Sequence, residues 1–420
     1  EGRSTMSAQR HAQHSDPTTT SHPPAPRLGV DRRTLLRGAG LLGAVAATGA
    51  SLAPAQAAPA PTTVDPAAFR LTADYTKYTA RVEALLEQAG RASVSQVMDD
   101  ANHERTPATV IDTQVHGFRF ATSDENYPDA FPQGIATSRD AVGTAGNGRY
   151  DGRQVIAVSF YNNSPKSSRI NLIDWDANYP NAYRRILLVE PTGTAEEPSF
   201  QDVEIHAGGI AWYGDLLYVA DSAAKPGGMR VFDMSKILTT DTGGSKGQIG
   251  RVGDTFYAHN YAYVLPQVGT ISSEVEAGTE PLVWSTISLD RVTRSIVMTE
   301  YRCDDSCDNY PTGTTRAVRF DFQDGGPTFA GTTTASEALE VPLHFLNGVG
   351  SHNGRWWFNS SRHKTLSYWS GEGALTTYPW VSWGQSISYW EDADGPDLLW
   401  SLTEGEGFRA VFAVKQAGYS

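Results

Sequence analysis

One pattern recurs along the chain: a single β-branched residue held between two very small ones. It appears as Gly134-Ile135-Ala136, Gly209-Ile210-Ala211, Thr286-Ile287-Ser288, Gly348-Val349-Gly350 and Ser386-Ile387-Ser388. A strand with so little bulk gives up side-chain burial so that another backbone can come close. Each occurrence opens a group of short runs in which apolar and small or polar residues alternate, the period of a β-strand. The unit Glu204–Met234 shows it most plainly, with HAGGIAWYGD, LLYVADS and GMRVFDM parted by Gly-Asp and Lys-Pro-Gly-Gly turn signals.

Second strands of these groups are bulky, and third strands end in Ile173-Asp174, Phe232-Asp233 and Phe320-Asp321. The repeat averages roughly 60 residues, longer than the compact propeller repeats. The last group stops one strand short at Ser420, while Val110–Phe120 has no partner in the first. Setting that run as the outer strand of the last group closes a ring and removes two open edges. The chain therefore reads as all-β, a five-bladed β-propeller over residues 109–420. Six blades is the alternative if 250–282 forms one of its own, and a stack of sandwiches explains the slender first strands less well.

Ahead of the ring, residues 1–57 read as a disordered leader followed by an export signal. Arg32-Arg33 precedes a weakly apolar run that ends at Ala55-Gln56-Ala57. An arginine pair, a modest apolar middle and a small-residue end point to secretion by the twin-arginine route, with cleavage. The run is too short and too rich in Gly, Ala and Thr for a membrane anchor, so no membrane association is expected after removal. Residues 58–70, with PAPTTVDP, read as a linker. In residues 71–108, Leu71, Tyr75, Tyr78, Val82, Leu85, Leu86 and Ala89 recur at helical spacing up to Gly90, and a shorter helix is expected over Ser93–Asn102. Such helices are expected to pack outside the ring or across one end.

The formal charge is −13. Residues 1–57 hold six Arg and three acids, so their removal leaves 28 basic against 44 acidic residues. That surface repels phosphate backbones, and nucleic acid is not an expected partner. Only Cys303 and Cys307 are present. They are too few for a closed zinc site, and in an oxidising compartment they read as a disulfide. The loop Cys303-Asp-Asp-Ser-Cys307-Asp308 gathers acids and reads as a solvated turn or a structural calcium site. A monomer is expected.

A twin-arginine signal, a short helical region and a long-repeat propeller resemble the exported proteins of actinomycete-type bacteria. In architecture, residues 109–415 also resemble the five-bladed propeller glycosidases that act on arabinan, xylan and fructan. Those enzymes place two Asp and a Glu on inner strands around the axis. The corresponding positions here are Gln133, His206, Trp284 or Ser285, Asn347 and Gln385. No acid trio stands there, so the family's catalytic residues are not carried over.

Side chains entering the first strands ring one mouth of a propeller's channel. Gln133, Trp284, His344, Asn347 and Gln385 are the expected substrate-binding residues, with Phe131, Trp212, Tyr213, Phe345, Trp383 and Tyr389 nearby. Amides and aromatic faces suit sugars, whose hydroxyls want hydrogen bonds and whose C–H faces stack on rings. His206, ahead of Gly208-Gly209, is the expected proton-transfer residue, with His259 and Tyr261 as further catalytic candidates. A histidine–tyrosine pair suits proton abstraction beside a uronate carboxylate, whereas histidines from several blades, His344 and His352 included, would suit a metal. Asp202, Glu204, Asp290, Glu300, Glu404 and Glu406 could supply a hydrolase pair, but strand order does not say which converge. The chain carries no Gly-x-Ser-x-Gly elbow, phosphate-cradling loop or His-Glu-x-x-His helix. The expected function is a secreted glycan-active enzyme, a hydrolase or lyase acting on extracellular polysaccharide or oligosaccharide. A non-catalytic carbohydrate- or cell-wall-binding propeller and a metal-dependent oxidative enzyme are the alternatives.

Overall fold

Slender first strands converge on an axis and bulky later strands fan outward, giving an all-β propeller. The computed structural model describes residues 55–176, 181–222, 224, 226–306, 310–323 and 326–420; the arginine pair and the apolar part of the expected signal lie outside them. The inner strands are Ala130–Thr137, Ile210–Tyr213, Trp284–Asp290, Leu346–His352 and Gly384–Trp390. From each, the chain meanders outward in antiparallel register, as in Trp284–Asp290, Ser295–Glu300, Thr315–Asp321 and Glu337–Val341. The last set takes Gln114–Arg119 as its outer strand, against Ala410–Lys415. The front of the ring thus closes on its end, and both edges are paired.

Close approach at the axis explains the small residues there. A Cβ on Gly209 would stand 2.4 Å from the Ile287 nitrogen, and one on Gly348 would stand 2.3 Å from the Gln385 carbonyl oxygen. No ladder joins inner strands of different sets, so hydroxyls serve in its place. Ser285 Oγ donates to the Leu346 carbonyl at 2.9 Å, and Ser288 Oγ to the Ile387 carbonyl at 3.0 Å. Between sets, bulky residues such as Trp212, Trp356, Trp357 and Trp400 are fully buried, each removing apolar area worth about 2–3 kcal/mol from water.

Two sets are sewn together by one long strand, Tyr263–Val275. Its first half runs parallel to Tyr183–Gly193, and its second half is antiparallel to Gly228–Asp233. The stretch 250–282, the candidate for an extra blade, contributes that strand and the separate hairpin Ile249–Val252 and Thr255–Ala258.

The front of the chain differs from expectation. Residues 58–70 do not hang free. Gln56–Ala58 pairs with Leu375–Thr377, Thr62–Thr63 with Leu339–Glu340, and Phe69–Asp74 with Thr270–Val275. The segment is laid along the outer edges of successive sets, where unpaired N–H and C=O groups would otherwise face water or another chain. Leu71, whose spacing suggested a helix, is a buried strand residue. The strand ends where the Asp74 carboxylate accepts from the Thr76 and Lys77 amides. The helix then runs Thr79–Gln88, burying Val82, Leu85 and Leu86 against Leu187, Val189 and Phe200 outside the ring. The second helix, Val94–Asp99, starts at a reciprocal Ser93–Gln96 capping box. No described helix is long and apolar enough to cross a membrane. Cys303 is disulfide-bonded; its expected partner Cys307, and Asp308 of the acidic loop, lie outside the described residues.

Candidate functional site

A cavity of about 820 Å³ opens where the inner strands begin and the second strands end. Gln133, His206, Trp284, Asn347 and Gln385, expected from the first strands, all line it. A local irregularity brings most of them there. The pairing of four inner strands slips between Pro132 and Ile135, Trp284 and Thr286, Leu346 and Gly348, and Gly384 and Ile387. Gln133, Ser285, Asn347 and Gln385 sit in those bulges, where an unpaired residue is re-aimed away from the ladder.

Residues from the second strands complete the wall. Tyr161, Ser222, Tyr301, Ser361 and Glu404 stand at or just beyond their ends and line the same cavity. The sequence signal for them was available, because an antiparallel second strand must end beside the start of the first. Reading first-strand residues alone missed Tyr161, Ser222, Tyr301 and Ser361, and left Glu404 as one of six candidate acids. Tyr310, Arg362, Lys364 and Trp383 come from loops at the mouth.

His206 presents its ring to the cavity and stacks on Tyr161, with centroids 4.3 Å apart and planes at 27°. Tyr161 stacks in turn on Phe131 at 5.2 Å. The guanidinium of buried Arg409 lies 4.9 Å from the Phe131 centroid. This column fixes the imidazole plane from behind. The surrounding protein disfavours the imidazolium and lowers the His206 pKa, so the ring is neutral near neutral pH. Burial, then the nearby Glu404 charge, pushes Tyr161 up to about 12.

Glu404 is the one acid lining the cavity among the described residues. Burial raises its pKa, and the hydrogen bond from Gln133 Nε2 at 2.6 Å only partly offsets that. The Arg409 charge and a hydrogen bond from Gln385 also act to lower it, although Gln385 Nε2 falls outside good hydrogen-bond geometry. Asn347 Nδ2 donates to Gln385 Oε1 at 3.2 Å, which leaves Asn347 Oδ1 buried without a partner. An unpartnered acceptor and a poorly satisfied donor thus stand on two linked amides, and a ligand hydroxyl would satisfy both.

Several expectations do not hold. His259 and Tyr261 are not in the cavity. Their run forms a turn after the Thr255–Ala258 strand, and the fourth strand of the set begins later, at Tyr263. His259 is engaged there, with Nδ1 2.8 Å from the Lys246 carbonyl and Nε2 2.9 Å from the Asp202 carboxylate. His344 does not line the cavity either; it precedes its inner strand and lies against Phe345. Trp284 borders the cavity but is buried, and its indole N–H donates to Ser273 Oγ at 2.9 Å. His352 stacks on Tyr389 at 3.8 Å, and Tyr389 donates to Asp397, away from the cavity. Asp290 pairs with Arg319, and Glu300 with Arg302 and Arg316, in buried ion pairs that hold strands together. Among the described residues no group of three or more His, Cys, Asp or Glu is placed to hold a metal ion.

No protein-family model and no curated protein sequence matches the chain. Among solved structures it is similar to a chain of a nidogen/laminin complex, at 12% identity over 73% of this chain and 91% of that one, with a TM-score of 0.32. It is also similar to a catalytically inactive virginiamycin B lyase from Staphylococcus aureus with quinupristin, at 11% identity over 69% of this chain and 97% of that one, with a TM-score of 0.26. Likeness this distant carries no argument about activity, which rests on the cavity itself.

Proposed function

We propose that the protein is a polysaccharide lyase that cleaves uronate-containing glycans by β-elimination in this cavity, exported by the twin-arginine route. The observation that carries the reading is a neutral imidazole, stacked and oriented by Tyr161, sharing a cavity with two cationic side chains and one acid that favours its protonated form. His206 takes the proton from the carbon α to the uronate carboxylate. The bond from the β carbon to the leaving sugar oxygen breaks, the double bond forms between the two carbons, and Glu404 returns a proton to that oxygen. Arg362 and Lys364 at the mouth favour the substrate carboxylate, whose negative charge otherwise makes the α proton hard to remove. Asn347, Gln385 and Gln133 hold the sugar hydroxyls.

Hydrolysis by a carboxylate pair is less well supported, because Glu404 has no second acid beside it among the described lining residues. The test is incubation with polygalacturonate, alginate and neutral arabinan. Unsaturated products absorbing in the ultraviolet, from an anionic glycan only, support elimination. New reducing ends without that absorbance would replace it with hydrolysis, and binding without products with a carbohydrate-binding role.

A further inference from the structure

We propose that the cavity continues outward into a further sugar subsite, in which Trp383 offers a ring face to the pyranose unit adjoining the one held inside. This rests on the reading of the cavity as a glycan site. Trp383 lines the mouth and is 60% exposed. Its backbone turn belongs to the fold: φ is +59° both here and at Phe345, the matching position of the preceding set. At Phe345 that turn buries the ring, whereas at Trp383 it leaves the indole at the mouth. The Trp383 carbonyl accepts from the Glu404 amide at 3.1 Å, so the residue is tied to the same strand end that carries the acid. Gly405 then leaves bare backbone beside the indole: a Cβ there would stand 3.1 Å from the ring, so the ring is backed on that side and open to the solvent on the other.

The occupant follows from continuity with the cavity. A unit lying over this ring is the next residue of the chain whose uronate sits between His206 and Glu404. Its C–H face has the apolar, flat character that an indole takes up, while its hydroxyls stay in water. The substrate is therefore a polymer threaded across the mouth, bound at more than one unit.

The experiment uses the full chain carrying His206→Ala, which prevents turnover, and titrates it calorimetrically with polygalacturonate, with alginate and with the monomer galacturonic acid. Adding Trp383→Ala is expected to weaken polymer binding about tenfold and to leave the monomer affinity within about twofold of the parent. Trp383→Phe should recover most of the loss. Thermal melts establish that each variant is folded. Polymer affinity unchanged by Trp383→Ala, an equal loss for monomer and polymer, or no binding of polygalacturonate or alginate at all would each overturn the subsite. Chain-length-dependent binding through Trp383 without unsaturated products from the parent enzyme would keep the subsite and remove the lyase; products with no effect of Trp383→Ala would do the reverse.

Discussion

His206 and Tyr161 stand 4.3 Å apart, ring centroid to ring centroid, although they belong to neighbouring strand sets and are separated by the strands Lys166–Asp174, Tyr183–Gly193 and Pro198–Asp202. A histidine held by a stack rather than by a carboxylate keeps both ring nitrogens available to a ligand. The surrounding protein lowers the basicity of this ring, which still faces solvent in the cavity, and no acid partner raises it.

Replacing His206 by Ala should lower the rate of product formation by about 10²–10⁴-fold, with a melting temperature close to that of the parent, because the ring faces the cavity rather than a packed core. Tyr161→Phe keeps the stack and should retain most activity. Tyr161→Ala removes it and should lower kcat more than it raises KM. Steady-state kinetics on the glycan found active checks all three, and a fully active His206→Ala enzyme would move the reaction away from this residue.

The pH profile should be centred on mildly acidic conditions. Turnover needs neutral His206 and protonated Glu404. The lowered imidazole pKa places the acid limb below the usual histidine range, and the raised carboxyl pKa places the alkaline limb above the usual glutamate range. Glu404→Gln should lower the rate and abolish the alkaline limb. kcat/KM measured across the pH range decides, and an alkaline limb that survives in Glu404→Gln assigns the acid elsewhere.

Stability should fall in acid for a reason outside the cavity. Burial first, then the Arg185 charge, pushes His103 down to about 4. The neutral ring is favoured in the folded state, so its contribution is present above the unfolded value of about 6.5. It is lost as pH falls from there through the folded pKa of about 4, since the unfolded chain binds the proton first. Urea unfolding at neutral pH and near the lower value should show the loss, and His103→Gln should flatten that part of the dependence.

At the axis, Gly209→Val should destabilise the protein by about 1–3 kcal/mol or more. Its Cβ would meet the Ile287 nitrogen at 2.4 Å and Thr286 Oγ1 at 2.6 Å, and an inner strand packed against the backbone of the next set has little room to shift. Chemical denaturation reads the change. A neutral outcome would mean that the inner strands are less tightly apposed than their glycines indicate.

Much of the ring is legible in the residues. The recurring slender triplets identified the inner strands, and the orphan run Val110–Phe120 identified the segment that closes the ring. In both cases the signal is local: strand period and side-chain size are properties of a few consecutive residues. The polar residues preceding those triplets also pointed to the mouth, where Gln133, His206, Asn347 and Gln385 meet. The errors share one cause. Leu71 and Tyr75 have helical spacing by coincidence, and no local signal sets His259 apart from His206. A partner strand far along the chain decided that Phe69–Asp74 joins Tyr263–Val275, and contacts with Lys246 and Asp202 decided that His259 closes a turn away from the cavity.

Which acid would matter was equally beyond local reading. Glu404, Glu300 and Asp290 each stand at a strand end in the linear chain. In space Arg302 and Arg316 neutralise Glu300, Arg319 neutralises Asp290, and Glu404 alone is left against the amides of the cavity. The sequence determined that this chain makes slender strands able to gather round an axis, because side-chain bulk and alternation act over a few residues. Only the tertiary structure decided which carboxyl is held by amides rather than by an ion pair and which rings stack behind His206, because desolvation and charge pairing depend on neighbours that the chain order does not supply.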